Sequence, residues 1–166
     1  MTSHPADIAF TIRDYRATDF DRLWQIDQLC FPPGIAYSQM ELTGFITRRN
    51  AITFVAEFAS EVHRAETGGS ARVAGFVVAH PYRNRGRILT IDVLPEARGH
   101  GLGSRLMEEA EARLRQRGCT EVYLETAVNN QAALKMYHKR GYQILRTLPA
   151  YYHAHGLDAF LLGKAL

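Results

Sequence analysis

The run Arg98-Gly99-His100-Gly101-Leu102-Gly103 puts a glycine at every second position between a strand-like segment, Ile88 to Leu94, and an amphipathic helix. Few folds accept such a junction. Glycine lets the backbone adopt positive φ and approach a ligand closely. The free amides of a helix start, reinforced by the helix dipole, can then surround phosphate oxygens. A phosphorylated ligand at the end of a central strand is therefore expected. An ordinary turn and helix start would account for any one of these glycines, but poorly for all three together.

At 166 residues the chain reads as a loose tail over residues 1–7 followed by one domain over residues 8–166. An apolar share of 46% with 22% charged residues excludes a disordered chain. The formal net charge of +3 and the sequence pI of about 9.0 favour an anionic partner without requiring nucleic acid. Arg83, Arg85 and Arg87 alternate along one short stretch, but no aromatic ladder accompanies them, so they read as solvated side chains. Cys30 and Cys119 match no metal-ligand spacing and read as reduced thiols, and His153 and His155 lack supporting ligands, so no metal is expected. The N-terminus has no basic start leading into an apolar core, and no segment approaches the roughly 20 apolar residues of a spanning helix. A cytoplasmic protein, monomeric or weakly dimeric and away from membranes, is the expectation.

Ile8 to Arg13 alternates as a half-buried strand does. Asp19 is read as the N-cap of a helix presenting Leu23, Ile26, Asp27 and Cys30, which Phe31-Pro32-Pro33-Gly34 stops. A second helix begins near Ser38, with Glu41 completing a capping box, and ends before Asn50. Ala51 to Phe58, Arg72 to Ala79 and Arg87 to Leu94 read as strands, the last two joined by a turn at Asn84-Arg85-Gly86, and Ser60 to Ser70 as a polar, mobile insert. After the glycine turn, Leu102, Leu106, Ala110 and Leu114 form one helical face, and Gly118 ends that helix. Glu121 to Thr126 then reads as a strand, Asn130 to Arg140 as a helix closed by Gly141, and Tyr142 to Leu148 with Ala159 to Lys164 as a final strand pair. The order β-α-α-β-β-β-α-β-α-β-β implies an α+β (α/β mixed sheet) class, with a mixed, mostly antiparallel sheet flanked by helices.

Two familiar phosphate motifs fail. A dinucleotide fingerprint needs G-x-G-x-x-G, and a P-loop needs Gly-Lys-Ser/Thr, whereas Gly103 is followed by Ser104-Arg105. Arg98-x-x-Gly101-x-Gly103 after Val93-Leu94-Pro95 instead resembles the acyl-CoA pyrophosphate loop of the GCN5-related N-acetyltransferases (GNAT). Asn129-Asn130 and Leu134-x-x-Tyr137-x-x-x-Gly141-Tyr142 extend the resemblance, with Tyr142 where the family commonly has Phe. It covers essentially Ile8 to Leu166 and implies the GNAT acyl-CoA N-acyltransferase fold with acetyl-CoA as donor. Within the family, Phe31-Pro32, Leu124-Glu125 and Tyr151-Tyr152 are similar to RimI-type enzymes that acetylate protein N-terminal α-amines. The chain departs from close relatives at Gly156-Leu157-Asp158-Ala159, where they place Gly-Glu-Asp-Ala.

The resemblance implies attack of an amine on a thioester in a ternary complex. That reaction needs a base for the ammonium, a donor for the oxyanion and a proton for the leaving thiolate. Glu125, opposite the core-facing Val122 and Leu124, is the candidate base, acting directly or through water; a solvated strand-end acid is its plainer reading. Asn130, Ala133 and Tyr137 share a helical face toward the cofactor, and Tyr137, protonated at neutral pH, is the candidate acid; a packing aromatic is the alternative. Family analogy puts Val93 at the acetyl carbonyl and Val93 with Leu94 along the pantetheine arm. It puts the backbone of Arg98, Gly99, His100, Gly101, Leu102, Gly103 and Ser104 around the pyrophosphate. Phe31, Pro32, Ile35, Tyr37, Tyr151 and Tyr152 are candidate acceptor walls, or merely a helix stop and a hairpin. The acceptor expected is a protein N-terminus, with a ribosomal protein as one candidate; a lysine, a small amine or a non-catalytic acyl-CoA sensor are the alternatives.

Overall fold

The computed structural model describes residues 8–59 and 72–166, so the expected tail and the Ser60 to Ser70 insert lie outside the described residues. One seven-stranded sheet runs through them in the order β1-β2-β3-β4-β5-β7-β6. Its strands are β1 (Phe10–Asp14), β2 (Ile52–Phe58), β3 (Val73–Tyr82), β4 (Arg85–Val93), β5 (Glu121–Ala127), β6 (Gln143–Tyr152) and β7 (Leu157–Ala165). Neighbours pair antiparallel except β4 and β5, which are parallel. That parallel pair requires a crossover, supplied by α3 (Leu102–Gln116). The other helices are α1 (Phe20–Cys30), α2 (Gln39–Ile46) and α4 (Gln131–Lys139).

The mixed, mostly antiparallel sheet and the order of elements agree with the sequence pattern. β3 is buried at Val73 through His80, both faces at once, because α1 and α3 each pack on it. The α3 face consists of Leu102, Leu106, Met107, Ala110, Glu111 and Leu114, so the expected apolar stripe carries one carboxylate. The Ser38–Glu41 capping box forms, with the Glu41 amide donating to Ser38 Oγ at 3.2 Å and the Ser38 amide donating to Glu41 at 2.8 Å.

Three local expectations are corrected. Asp19 does not cap α1: its carboxylate accepts the Arg16 amide at 2.8 Å and both terminal nitrogens of Arg13 at 2.8 Å, closing a 3-10 turn instead. The β3–β4 hairpin turns at Arg83-Asn84, with Tyr82 paired to Arg85, and Arg83 itself takes a φ of 55°. Gly86 is needed inside β4, where a Cβ would fall 2.5 Å from Leu114 of α3. Finally, β6 runs on to Tyr152. An irregularity between Leu148 and Tyr152 opposite β7 carries Ala150 at φ 49°, and the Ala150 amide donates to Asp158 at 2.8 Å. Asp158, retained from the altered Gly-Leu-Asp-Ala stretch, thereby holds the kink that presents Tyr151 and Tyr152.

Candidate active site

β4 and β5 pair only at Arg85–Arg87 against Glu121–Tyr123, then separate. On the other side of β4 the register against β3 skips a residue: Thr90 faces Val78 while Ile88 faces Ala79, so Leu89 is bulged. Bulge and separation together open the sheet into a cleft of about 1360 Å³ between the C-terminal halves of the two strands. Parallel pairing through a helical crossover makes such a gap possible, and nothing within β4 alone signals it.

The glycine turn forms one end of this cleft. Gly101 is the residue before α3 and has a φ of 74°, a backbone state that a Cβ would strain. The first bond into the helix runs from the Arg105 amide to the Gly101 carbonyl at 3.1 Å, so the amides just before Arg105 have no helical partner. Arg98, Gly99, Gly101, Leu102, Gly103 and Ser104 all border the cleft. Arg98 turns back toward the strand, its Nε donating to the Val93 carbonyl at 2.9 Å. The Cys30 thiol donates to that same carbonyl at 3.4 Å, which anchors the Val93 peptide from two sides.

Two residues of the expected cofactor set turn their side chains away from the cleft, which leaves only their backbone to meet a ligand. Leu94 is 2% exposed in the core, and its amide donates to the Ala74 carbonyl at 2.9 Å. His100 is exposed and packs its ring 6.3 Å from that of Phe10. Both follow from the chain's sharp change of direction after Val93, which reverses the strand alternation that the sequence pattern would continue.

The lateral walls come from α4 and β5. Asn130 caps α4 by accepting the Ala133 amide at 3.3 Å, and Asn130, Ala133 and Tyr137 share the face toward the cleft. Tyr137 is 5% exposed; burial first, and then the charge of Asp92, push its phenol above the ordinary range, so it stays protonated. Opposite it, Glu125 emerges on the half-buried face of β5, as the alternation of Val122 and Leu124 requires. Arg87 of β4 reaches Glu125 at 3.1 Å across the gap. Of the three alternating arginines, Arg83 and Arg85 lie over Tyr82 and Tyr123, while Arg87 enters the cleft.

Phe31, Pro32, Ile35, Tyr37, Tyr151 and Tyr152 gather at the remaining end. Tyr37 is fixed by four hydrogen bonds: its hydroxyl donates to the Leu89 carbonyl at 3.2 Å, its amide to Asp27 at 2.7 Å, and its carbonyl accepts from Trp24 Nε1 at 3.1 Å and Gln28 at 2.8 Å. Tyr151 and Tyr152 meet edge to face with centroids 5.0 Å apart. Burial, then the neighbouring Tyr151 and Glu125, push the Tyr152 phenol up to about 12. His155 pairs with the Pro33 carbonyl at 2.6 Å, tying the β6–β7 connection to the α1–α2 loop.

The sequence reading passed over the floor of the cleft. Asp92 lines it, fully buried beside Cys30 and Thr90, and Asp27, equally buried, lies behind the lining. Burial, then repulsion from Asp27, hold the Asp92 carboxyl well above its usual range; burial also raises Asp27. A signal existed: Asp27 shares the apolar α1 face with Leu23 and Ile26, and Asp92 interrupts an apolar strand end.

The family model of the acetyltransferase (GNAT) family matches residues 20–142. The N-alpha-acetyltransferase of Sulfurisphaera tokodaii is 30% identical over 163 residues, covering 95% of this chain and 93% of that protein. The crystal structure of Ard1 from Thermoplasma volcanium superposes with a TM-score of 0.80 at 27% identity, over 96% of this chain and 99% of that one. A chain of the NatC complex, whose structure has Gag peptide and CoA bound, does so with a TM-score of 0.78 at 26% identity, over 96% and 99%. Among the described residues, no helix is long and apolar enough to cross a membrane.

Proposed function

The chain belongs to the acetyltransferase (GNAT) family, and from that premise we propose that it moves the acetyl group of acetyl-CoA to the N-terminal α-amine of a protein, in a ternary complex. N-acetyl transfer from acetyl-CoA is the chemistry of the family. The α-amine acceptor rests on one observation: the tyrosine-walled end of the cleft, where Tyr37, Tyr151 and Tyr152 surround the approach to Glu125. Aromatic faces suit a first side chain, hydroxyls suit the peptide backbone, and a free terminus can reach the carboxylate without a long side chain to carry it. The N-alpha-acetyltransferase relative supports this because its match spans both of these walls.

In this reading the amides before Arg105 and the Arg98 guanidinium hold the pyrophosphate. The reacting carbonyl lies near Val93, whose anchored peptide keeps its geometry while charge develops. Glu125, directly or through one water, accepts the proton that the ammonium must lose, and Arg87 keeps the carboxylate aimed into the gap. The C–N bond then forms and the C–S bond breaks, and Tyr137 gives its phenolic proton to the departing thiolate. A RimI-type acceptor, including a ribosomal protein, is the narrower form of the proposal.

The test is a peptide panel with acetyl-CoA, read by mass spectrometry with the modified nitrogen located. Free-α-amine peptides should be acetylated at the terminus. Modification confined to lysine in α-blocked peptides, or to a small amine, would replace the acceptor, and tight acetyl-CoA binding with no transfer would replace the enzyme by a sensor.

A further inference from the structure

Asp27 of α1 and Asp92 of β4 are 0% and 1% exposed, where the acceptor and donor sides of the cleft meet. Each has one oxygen with known donors. Asp27 Oδ2 accepts from the Tyr37 amide at 2.7 Å and from Gln28 Nε2 at 3.2 Å. Asp92 Oδ1 accepts from the Thr90 hydroxyl at 2.5 Å. Asp27 Oδ1 and Asp92 Oδ2 are left buried with no N–H or O–H donor from the protein. Yet α1 packs on β4 at this point, with the Cys30 thiol, three residues after Asp27, on the carbonyl of Val93, which follows Asp92, and the two carboxyl groups interact directly. Two ionised carboxylates would not be held in that arrangement away from water, and a single proton between them supplies the missing donor for both.

We propose that Asp27 and Asp92 share one proton in the working enzyme, and that this proton clamps the acceptor loop to the donor strand. The two act as positioning residues. Asp27 works through the Tyr37 amide, and so sets the tyrosine that walls the acceptor end. Asp92 directly precedes Val93, whose carbonyl receives the Cys30 thiol and Arg98. Loss of the shared proton leaves adjacent negative charges in a poorly screened site, and the α1–α2 loop and β4 are driven apart. Acceptor binding then weakens.

The surroundings favour retention of the proton. Glu41 of α2 adds negative charge near Asp27. Cys30 of α1, Tyr37 of the loop and Tyr137 of α4 face the pair as neutral groups, all with raised pKa values, because burial dominates at each. β3 opposes Asp92 with Phe76, and Arg98 is the cation that works against protonation of Asp92.

The proton itself is independent of the substrate; only its effect on the acceptor rests on the function proposed above. Infrared spectroscopy of the full chain should show the C=O stretch of a protonated carboxyl at neutral pH. That band should disappear in Asp92→Asn, whose amide can donate to Asp27 at any pH. In steady-state kinetics, acceptor-peptide KM should climb on the alkaline side by up to about tenfold per pH unit once the proton is lost, with kcat moving less, and this climb should vanish in Asp92→Asn. Absence of the band from the wild-type protein, or an unchanged alkaline climb in the variant, overturns the proposal. If Asp92→Asn fails to fold, the wild-type band alone decides. If no peptide is acetylated but the band is present, the acceptor assignment has failed and the shared proton stands.

Discussion

Arg87 donates to Glu125 through two nitrogens, Nη2 at 3.1 Å and Nε at 3.3 Å, and both bonds fall on the same carboxylate oxygen, Oε2. The ion pair spans the gap between β4 and β5 where their parallel pairing has stopped. It holds the carboxylate by one oxygen, and in the proposed mechanism the other, Oε1, meets the incoming amine or a water.

Glu125→Gln should therefore lower kcat/KM by about 10²-fold or more, the range of a lost general base, with little change in melting temperature. Arg87→Ala should lower it less, and the double variant should be no worse than Glu125→Gln alone, because both act through one carboxylate. CoA release under steady-state conditions reads all three. Wild-type turnover in the Gln variant would remove Glu125 from the mechanism.

Tyr137→Phe should reduce kcat by about 10²-fold while acetyl-CoA KM stays within a few-fold, since only the proton donor is removed. Burial raises the Tyr137 pKa above its usual value of about 10. Its ionisation should consequently contribute no alkaline limb to kcat below that pH. A pH–rate profile recorded on wild type and variant checks both statements.

Gly101→Ala should raise acetyl-CoA Kd and destabilise the fold by roughly 1–2 kcal/mol, the cost of a left-handed backbone for a residue with a Cβ. Steric collision is not the cause, because a Cβ at Gly101 meets nothing within 4 Å. Calorimetric titration with CoA and a thermal melt separate the two effects. Unchanged CoA affinity would show that the glycine turn does not hold the pyrophosphate.

Glu111 should govern acid stability. It is 1% exposed and accepts from Arg140 at 2.8 Å, Lys164 at 2.9 Å and the Tyr142 hydroxyl at 2.9 Å. Burial raises its pKa, but these donors outweigh burial and hold it below the ordinary carboxylate value. Its contribution is thus complete above the unfolded pKa of about 4.3 and is lost as pH falls through the lower folded value. Glu111→Gln should cost about 3–5 kcal/mol near neutral pH and flatten the acid side of the stability profile. Chemical denaturation at several pH values measures this, and an unaltered acid slope would refute it.

Much of the fold was legible because its signals are local. The Ser38–Glu41 box lies within one turn, the α3 stripe repeats along one helix, and Val122 and Leu124 alternate with Glu125 along one strand. Asp19 misled because the same residue type serves an N-cap or an ion pair, and Arg13 and Glu57 decide which only when β1 and β2 come together. The Leu94 and His100 side chains face away from the cleft for a similar reason: the chain turns after Val93, and strand periodicity does not report where it stops. The Arg83-Asn84 turn likewise gave no glycine signal, because Gly86 answers to Leu114 of α3, packed on the sheet.

The amino-acid sequence by itself determined the class of fold, the order of its elements and the glycine turn that opens α3, since propensity, periodicity and helix-end chemistry act over a few residues. Tertiary structure alone decided the separation of β4 from β5, the pairing of Arg87 with Glu125 and the meeting of Asp27 with Asp92. Each of these joins residues from different elements, and its energy comes from burial and electrostatics that exist only after the sheet and helices have packed.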